Sequence, residues 1–278
     1  GFVLDVNETP DPEEFEDAYM RYANARVCPP RPAEKTYRVR GTKEPFYTLN
    51  VIDGIMSVSA VQKVAKQYQA SITEYLNAVL LYSLLQKQEH DFHLRLRPVR
   101  IAMPVNLRRF FPSKTLRNFI TMVYPSIDPR LGDYTFEEIV TQVHHYMRYY
   151  INSKFLRGDI TTNASTQRNP LIRIVPLFLK DFVVRQFYQR VQDKNSSAGL
   201  TNMGAIRVPD DMKPYLERFD IYMGIPYSQR TNCAIVSFED TLTVNFASCI
   251  IEADVERRFF QKLVEDGIPV TIESNREL

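Results

Sequence analysis

The chain has 278 residues, enough for one large or two ordinary domains, and 44% hydrophobic with 24% charged residues is an ordinary globular balance. A net charge of +2 from 35 basic and 33 acidic residues provides no global field for nucleic acid or for an acidic membrane surface. Three cysteines, Cys28, Cys233 and Cys249, without Cys-x-x-Cys spacing exclude a disulfide framework and a zinc ribbon and fit a reducing cytoplasm, while no stretch approaches the roughly 20 apolar residues that cross a bilayer.

In chain order, residues 1–44 read as a linker or extended arm. Residues 5–17 carry seven acids and no base, residues 21–43 carry seven bases with Glu34 the only acid, and Pro29, Pro30 and Pro32 lie among them. A start on Gly-Phe that runs at once into this polar segment suits a piece of a longer protein. Phe15, Tyr19 and Tyr22 recur at helical spacing, so EEFEDAYMRYANAR accommodates a short helix. The ordered domain, 45–278, is expected to begin near Phe46 with a strand in PFYTLNVIDGIM. Capping-box spacings at Ser59/Gln62 and Ser71/Glu74 predict helices near 59–68 and 71–88. The second buries Ile72, Leu76, Val79, Leu80 and Leu84 and is apolar over most of its girth, which makes it a core helix.

Strands are predicted at about 98–106 and 117–126, then two long helices at about 135–155 and 171–191, with the polar GDITTNASTQRNP between them as a loop. From Leu200 the texture changes to short β runs near 200–207, 217–224, 232–238 and 241–248, with a turn at Asp240. A helix from Ala253 to Glu265 is stopped by Gly267 and Pro269, and IPVTIES reads as the last strand. Hairpins mixed with helical crossovers predict an α/β (α+β) chain, a mixed β-sheet flanked by helices that pack largely on one face.

Common reaction motifs fail on chemistry. Gly199 and Gly204 have the spacing of a phosphate-binding loop, but Ala205 and Ile206 stand where Lys and Ser or Thr would hold phosphate and magnesium. His90 and His93 flank Asp91 in a strongly polar stretch after a helix end, which reads as solvated loop rather than as a metal site. No Gly-x-Ser-x-Gly or His-Glu-x-x-His is present. LIRIVPLFLKDFVVRQFY, dense in apolar residues with Arg173, Lys180 and Arg185 interspersed, would suit an interfacial helix, but Pro176 would break or start a helix there; core packing or an interface with another lobe is expected instead, without membrane contact.

PVNLRRFFPSKTLRNF at 104–119 resembles a segment of the acyltransferase superfamily of chloramphenicol acetyltransferase, peptide-synthetase condensation domains and alcohol acetyltransferases. There a strand ends in Asn-Leu-Arg, matched by Asn106, Leu107 and Arg108, and after a short loop the next opens on Asn and an aromatic residue, matched by Asn118 and Phe119. LTNMGAIRVP at 200–209 is similar to the strand that carries Ser-Asn or Thr-Asn followed by Gly beside the active-site tunnel of alcohol acetyltransferases. FDIYMGIP at 219–226 resembles the Asp-Phe-Gly-Trp-Gly-x-Pro element of plant acyltransferases, with Asp220, Gly224 and Pro226 matching and the central Gly and the Trp absent. The superfamily signature, His-His-x-x-x-Asp-Gly, is missing: the one adjacent pair, His144 and His145, is followed by Tyr149 and Tyr150 at the Asp-Gly positions and sits in a run with helical apolar spacing.

The resemblance implies the C-terminal lobe of a two-lobe acyltransferase whose N-terminal lobe would carry the catalytic base, with no catalytic residue and no cofactor in this chain. The intact protein would take acyl-CoA or an acyl-carrier thioester as co-substrate and a hydroxyl or amine as acceptor. Thr201 and Asn202 are the implied tunnel donors, and Asn106, Arg108 and Asn118 either hold the tunnel floor or serve strand-end and loop hydrogen bonding. Asp220, held by an Arg, and Gly224 are implied to be structural. Two other readings stay open: a non-catalytic interaction or scaffold module of the same fold, and a trimer with its site between subunits. An uncovered lobe interface predicts an apolar face, on the sheet or the 171–191 helix, and self-association.

Overall fold

The computed structural model describes residues 7, 9–26, 34–45, 48–91, 95–168, 181, 195–226 and 229–276. Its centre is an eight-stranded mixed sheet built from β1 (Asn50–Ser57), β2 (Val99–Asn106), β3 (Ile120–Val123), β4 (Ser126–Ile127), β5 (Ala198–Ala205), β6 (Thr231–Phe238), β7 (Thr241–Ser248) and β8 (Thr271–Ser274). The spatial order is β3-β2-β5-β6-β7-β1-β8, with β4 also on β2. β2, β5 and β6 run parallel, and the remaining pairings are antiparallel. The expected mixed sheet is therefore present. The strand predicted at 117–126 is split, because Pro125 has no N–H to give the ladder and contributes only its carbonyl, which accepts from Ile101 N–H.

Helices α2 (Val58–Gln67) and α3 (Ile72–His90) follow β1, and α6 (Asp254–Glu265) follows β7; α4 (Phe136–Tyr150) and α5 (Ser153–Arg168) lie between β4 and β5. Helix α3 packs against both α4 and α6 and has Leu76, Leu80, Leu81 and Leu84 at 0% exposure, the core helix its sequence predicts. Ser71 and Glu74 form the expected reciprocal cap. At α2 the cap is Ser57 rather than Ser59, since the Ser57 hydroxyl accepts from Ala60 N–H. Ser59 instead donates its N–H to Asp240 in the β6–β7 turn, where Ser57 Oγ also donates, so one carboxylate ties the hairpin to the helix start.

Two expectations fail. GDITTNASTQRNP is not a loop through 168, because α5 runs through it. Asn152 caps that helix by accepting from Lys154 and Phe155 N–H, Leu156, Ile160 and Ala164 form a narrow buried stripe at i, i+4, i+8, and Thr161 and Thr162 return their hydroxyls to carbonyls four residues back. Nor do the described residues of 1–44 stand away from the body. Tyr19 and Tyr22 of α1 (Ala18–Tyr22) pack on Phe119, Ala18 and Ala23 are buried, and Tyr37 and Val39 enter the core along the sheet end. The helix expected at 171–191 lies outside the described residues apart from Asp181.

The segment expected as a strand at 217–224 joins no ladder. It lies as a strap across the face of the sheet opposite α3 and α6, and side chains of the sheet take the place of ladder partners. Thr243 donates to Phe219 C=O at 2.8 Å, Asn245 accepts from Ile221 N–H at 3.1 Å, and Asn232 donates to Gly224 C=O at 3.0 Å. Tyr222 donates to Asp53 on β1, and Phe219 packs edge-on against Phe238.

On the helix side, Glu256 of α6 is 2% exposed and accepts from the Thr231 hydroxyl at 2.6 Å. Burial holds its carboxyl above the ordinary range. Because the folded pKa is raised, this group's contribution is fully present below the unfolded-state value and is lost as pH rises toward the folded value. Urea unfolding of Glu256→Gln should therefore show a flatter loss of stability above the ordinary carboxylate range than the parent; parallel pH profiles would refute this.

Candidate functional site

Strands β2 and β5 pair over only two positions, Ile101 with Ala198 and Ala102 with Gly199, whereas β5 continues on β6 as far as Ala205. Beyond residue 102 the two parallel strands have no ladder between them, so a crevice opens toward their C-terminal ends, a common ligand position in open sheets with parallel strands. Met103 to Asn106 form one wall and Leu200 to Gly204 the other.

Helix α3 spans this opening on its helix side. Asn77 donates from Nδ2 to Met103 Sδ at 3.4 Å and to Thr73 C=O at 2.9 Å, and one turn earlier the Thr73 hydroxyl accepts from Asn202 Nδ2 at 2.8 Å. Asn202 Oδ1 accepts from Gly204 N–H, across a bulge where Met203 is the extra residue and Gly204 takes φ +75°. Asn77 is 0% exposed, yet its Oδ1 has no hydrogen-bond partner, although buried polar atoms are nearly always paired. Thr73 and Asn77 escape the sequence reading, although two polar residues four apart in the apolar first half of the helix, beside the capping Glu74, were the available sign.

The predicted residues divide by position. Asn202 faces α3. Thr201 faces the strap side: the Cβ that Gly199 lacks would meet Asn232 Oδ1 at 2.9 Å and approach Met223, and Thr201 lies two residues along on the same face. Asn106 ends β2 and its Oδ1 accepts from Arg108 N–H, while Arg108 donates through Nη2 to the carbonyls of Thr115 and Arg117, both at 2.7 Å. These two contacts are loop-holding bonds. Asn118 is exposed in that loop. The structure thus brings Asn106 and Asn202 to the same end of the parallel strands, and Arg108 shapes the loop beside them.

Asp220 accepts from Arg218 Nε at 2.9 Å and from Asn245 Nδ2 at 3.1 Å, and Arg218 reaches on to Glu273 of β8, so the carboxylate fastens the strap. A Cβ on Gly224 would meet nothing within 4 Å, so its part is the carbonyl that Asn232 holds and not the missing side chain. His144 and His145 lie on α4. His144 Nδ1 is 3.4 Å from Glu74 Oε1 without hydrogen-bond alignment, and His145 is exposed. Burial raises the Cys233 thiol well above its usual range, so it is a core side chain rather than a nucleophile. Among the described residues no group of His, Cys, Asp and Glu could hold a metal, and no helix is long and apolar enough to cross a membrane.

No protein-family model and no curated protein sequence matches this chain. Solved structures do. TRI3 trichothecene 15-O-acetyltransferase from Fusarium sporotrichioides superposes with a TM-score of 0.54 at 15% identity, over 82% of this chain and 48% of that one. A nonribosomal peptide synthetase, FmoA3, superposes with a TM-score of 0.53 at 10% identity, over 84% of this chain and 22% of that one. The chain therefore spans less than half the length of either. Such low identities carry the fold and not the chemistry, and the mixed sheet with its flanking helices has a chloramphenicol-acetyltransferase-like fold.

Proposed function

We propose that this chain is the C-terminal lobe of an acyltransferase that moves an acyl group from coenzyme A or a carrier-protein thioester to a hydroxyl or amine. The observation that carries this is the crevice where β2 and β5 part, with Asn202 held at its floor by Thr73 of α3. Asn202 spends one amide hydrogen on Thr73, which leaves the other for the oxyanion that forms as the acceptor attacks the thioester carbonyl.

In the transfer, a base takes the acceptor's proton, a C–O or C–N bond forms at the carbonyl, the C–S bond breaks, and the proton leaves on the thiol. Among the described residues neither histidine of the adjacent pair stands at the crevice: one is beside Glu74 and the other is exposed on α4. The base belongs on a partner lobe. Leu116, Met122 and Met203, exposed at 77%, 40% and 57% on the β2–β3 loop, β3 and β5, fit a surface that such a lobe would cover.

Acyl-CoA incubated with alcohols and amines in the presence of this chain alone should release free thiol no faster than in buffer. Turnover that disappears in His144→Ala or His145→Ala would overturn the half-enzyme reading.

A further inference from the structure

At the opposite end of the sheet, before β2 and β6 begin, Arg38, Arg40, Arg95, Arg97 and Arg230 line a cleft of about 390 Å³. Arg97 lies nine residues before Asn106 along an extended strand, so the two ends stand about 30 Å apart at roughly 3.3 Å per residue. The cleft is therefore separate from the crevice between β2 and β5.

The cleft is built rather than incidental. Tyr37 and Val39 turn into the core and Tyr37 N–H bonds Pro98 C=O, so alternation along the same segment puts Arg38 and Arg40 outward. The buried Gln88 amide clamps the Arg97 backbone on both sides, accepting from its N–H at 2.8 Å and donating to its C=O at 3.0 Å. Among the described residues no Asp or Glu lines the cleft, and no carboxylate pairs with Arg40, Arg95, Arg97 or Arg230. The neighbouring acids are engaged elsewhere: Asp91 by Tyr37 and Lys87, Asp254 by Lys87, Glu252 by Thr42.

We propose that this five-arginine cleft binds a small phosphorylated ligand bearing at least two phosphate groups. The guanidinium groups of Arg40, Arg95, Arg97 and Arg230, gathered on a chain whose net charge is only +2 and without a carboxylate partner among the described residues, repel one another unless an anion joins them. Among the described residues the five cations of the lining are all arginines, whose planar forks match phosphate oxygens two at a time, and none is a lysine. Its volume lies within the range of small-molecule sites, about 300–1,000 Å³, which favours a diphosphate or nucleotide over a polymer.

Calorimetric titration of the chain with inorganic pyrophosphate and with ADP at low salt, alongside an acidic Asp/Glu heptapeptide, tests this. Pyrophosphate or ADP should bind with a Kd below about 1 mM. Arg97→Gln/Arg230→Gln should weaken that binding by at least about tenfold. Arg40→Gln/Arg95→Gln, at exposed positions, is the second variant should the first fail to fold, and Arg109→Gln/Arg148→Gln, outside the cleft, should bind as the parent does. ADP tighter than pyrophosphate marks a nucleotide, and equal affinities mark the phosphates alone. The proposal is overturned if neither phosphate ligand saturates the parent, if the control pair loses as much as the cleft pairs, or if the heptapeptide binds more tightly than both.

Discussion

Asn232→Ala should lower the unfolding free energy by about 1–3 kcal/mol, the cost of one buried backbone group left without its partner. Asn232 is 3% exposed and serves one such group, accepting from the buried Gly199 N–H at 2.8 Å, and it also donates to the C=O of the exposed Gly224 at 3.0 Å. The loss falls on the strap's attachment to β5 and β6, so its backbone should also become a preferred site of limited proteolysis, since local opening follows lost anchoring. Thr243→Val removes one hydroxyl from the same face while nearly keeping its shape, and should cost only about 1 kcal/mol. Urea unfolding of the two variants against the parent decides the matter. An Asn232→Ala protein within about 0.5 kcal/mol of the parent would mean that the strap holds without it.

Asn202 is the second case, and its expected effect is on turnover. In a protein carrying both lobes, Asn202→Ala should reduce turnover on the order of tenfold to a thousandfold, the range for loss of one oxyanion donor. Alanine would also release the Gly204 N–H that Asn202 Oδ1 accepts, so loss of the bulge could mimic loss of chemistry. Asn202→Asp separates the two, since the carboxylate keeps an acceptor for Gly204 and removes both amide donors. The aspartate variant should keep its melting temperature near the parent's and still lose turnover. Parent-like turnover in Asn202→Asp would assign this residue to the bulge and to α3 rather than to the reaction.

The two asparagines show why a strand residue's part is hard to read from sequence. Both lie in β-type runs, yet Asn232 faces the strap and Asn202 faces α3. Strand alternation gives the parity of a side chain and not the identity of the layer it meets. The strap itself, FDIYMGIP, has apolar content suited to a strand, and the sequence reading assigns it one. It lies flat on the sheet because Thr243, Asn245 and Asn232 supply hydrogen bonds that a ladder neighbour would otherwise give.

By itself the sequence determined the elements whose evidence is local. The capping box at Ser71, the apolar girth of α3, the hairpin turn by Asp240 and the close of α6 before Gly267 are set by residues within a few positions of one another. That no phosphate-loop, Gly-x-Ser-x-Gly or His-Glu-x-x-His motif is present was legible for the same reason, since each motif needs particular residues at fixed short spacing. Only the tertiary structure decided where β2 and β5 part, that Asn77 keeps a buried oxygen without a partner, and that arginines from positions 38 to 230 share one cleft. It also decided that the polar stretch after Gly158 is a helix, since its buried stripe of Leu156, Ile160 and Ala164 becomes favourable only once α1 and β3 cover it. These features rest on contacts between residues far apart in the chain, and burial energy, unlike capping or turn geometry, depends on which surfaces meet.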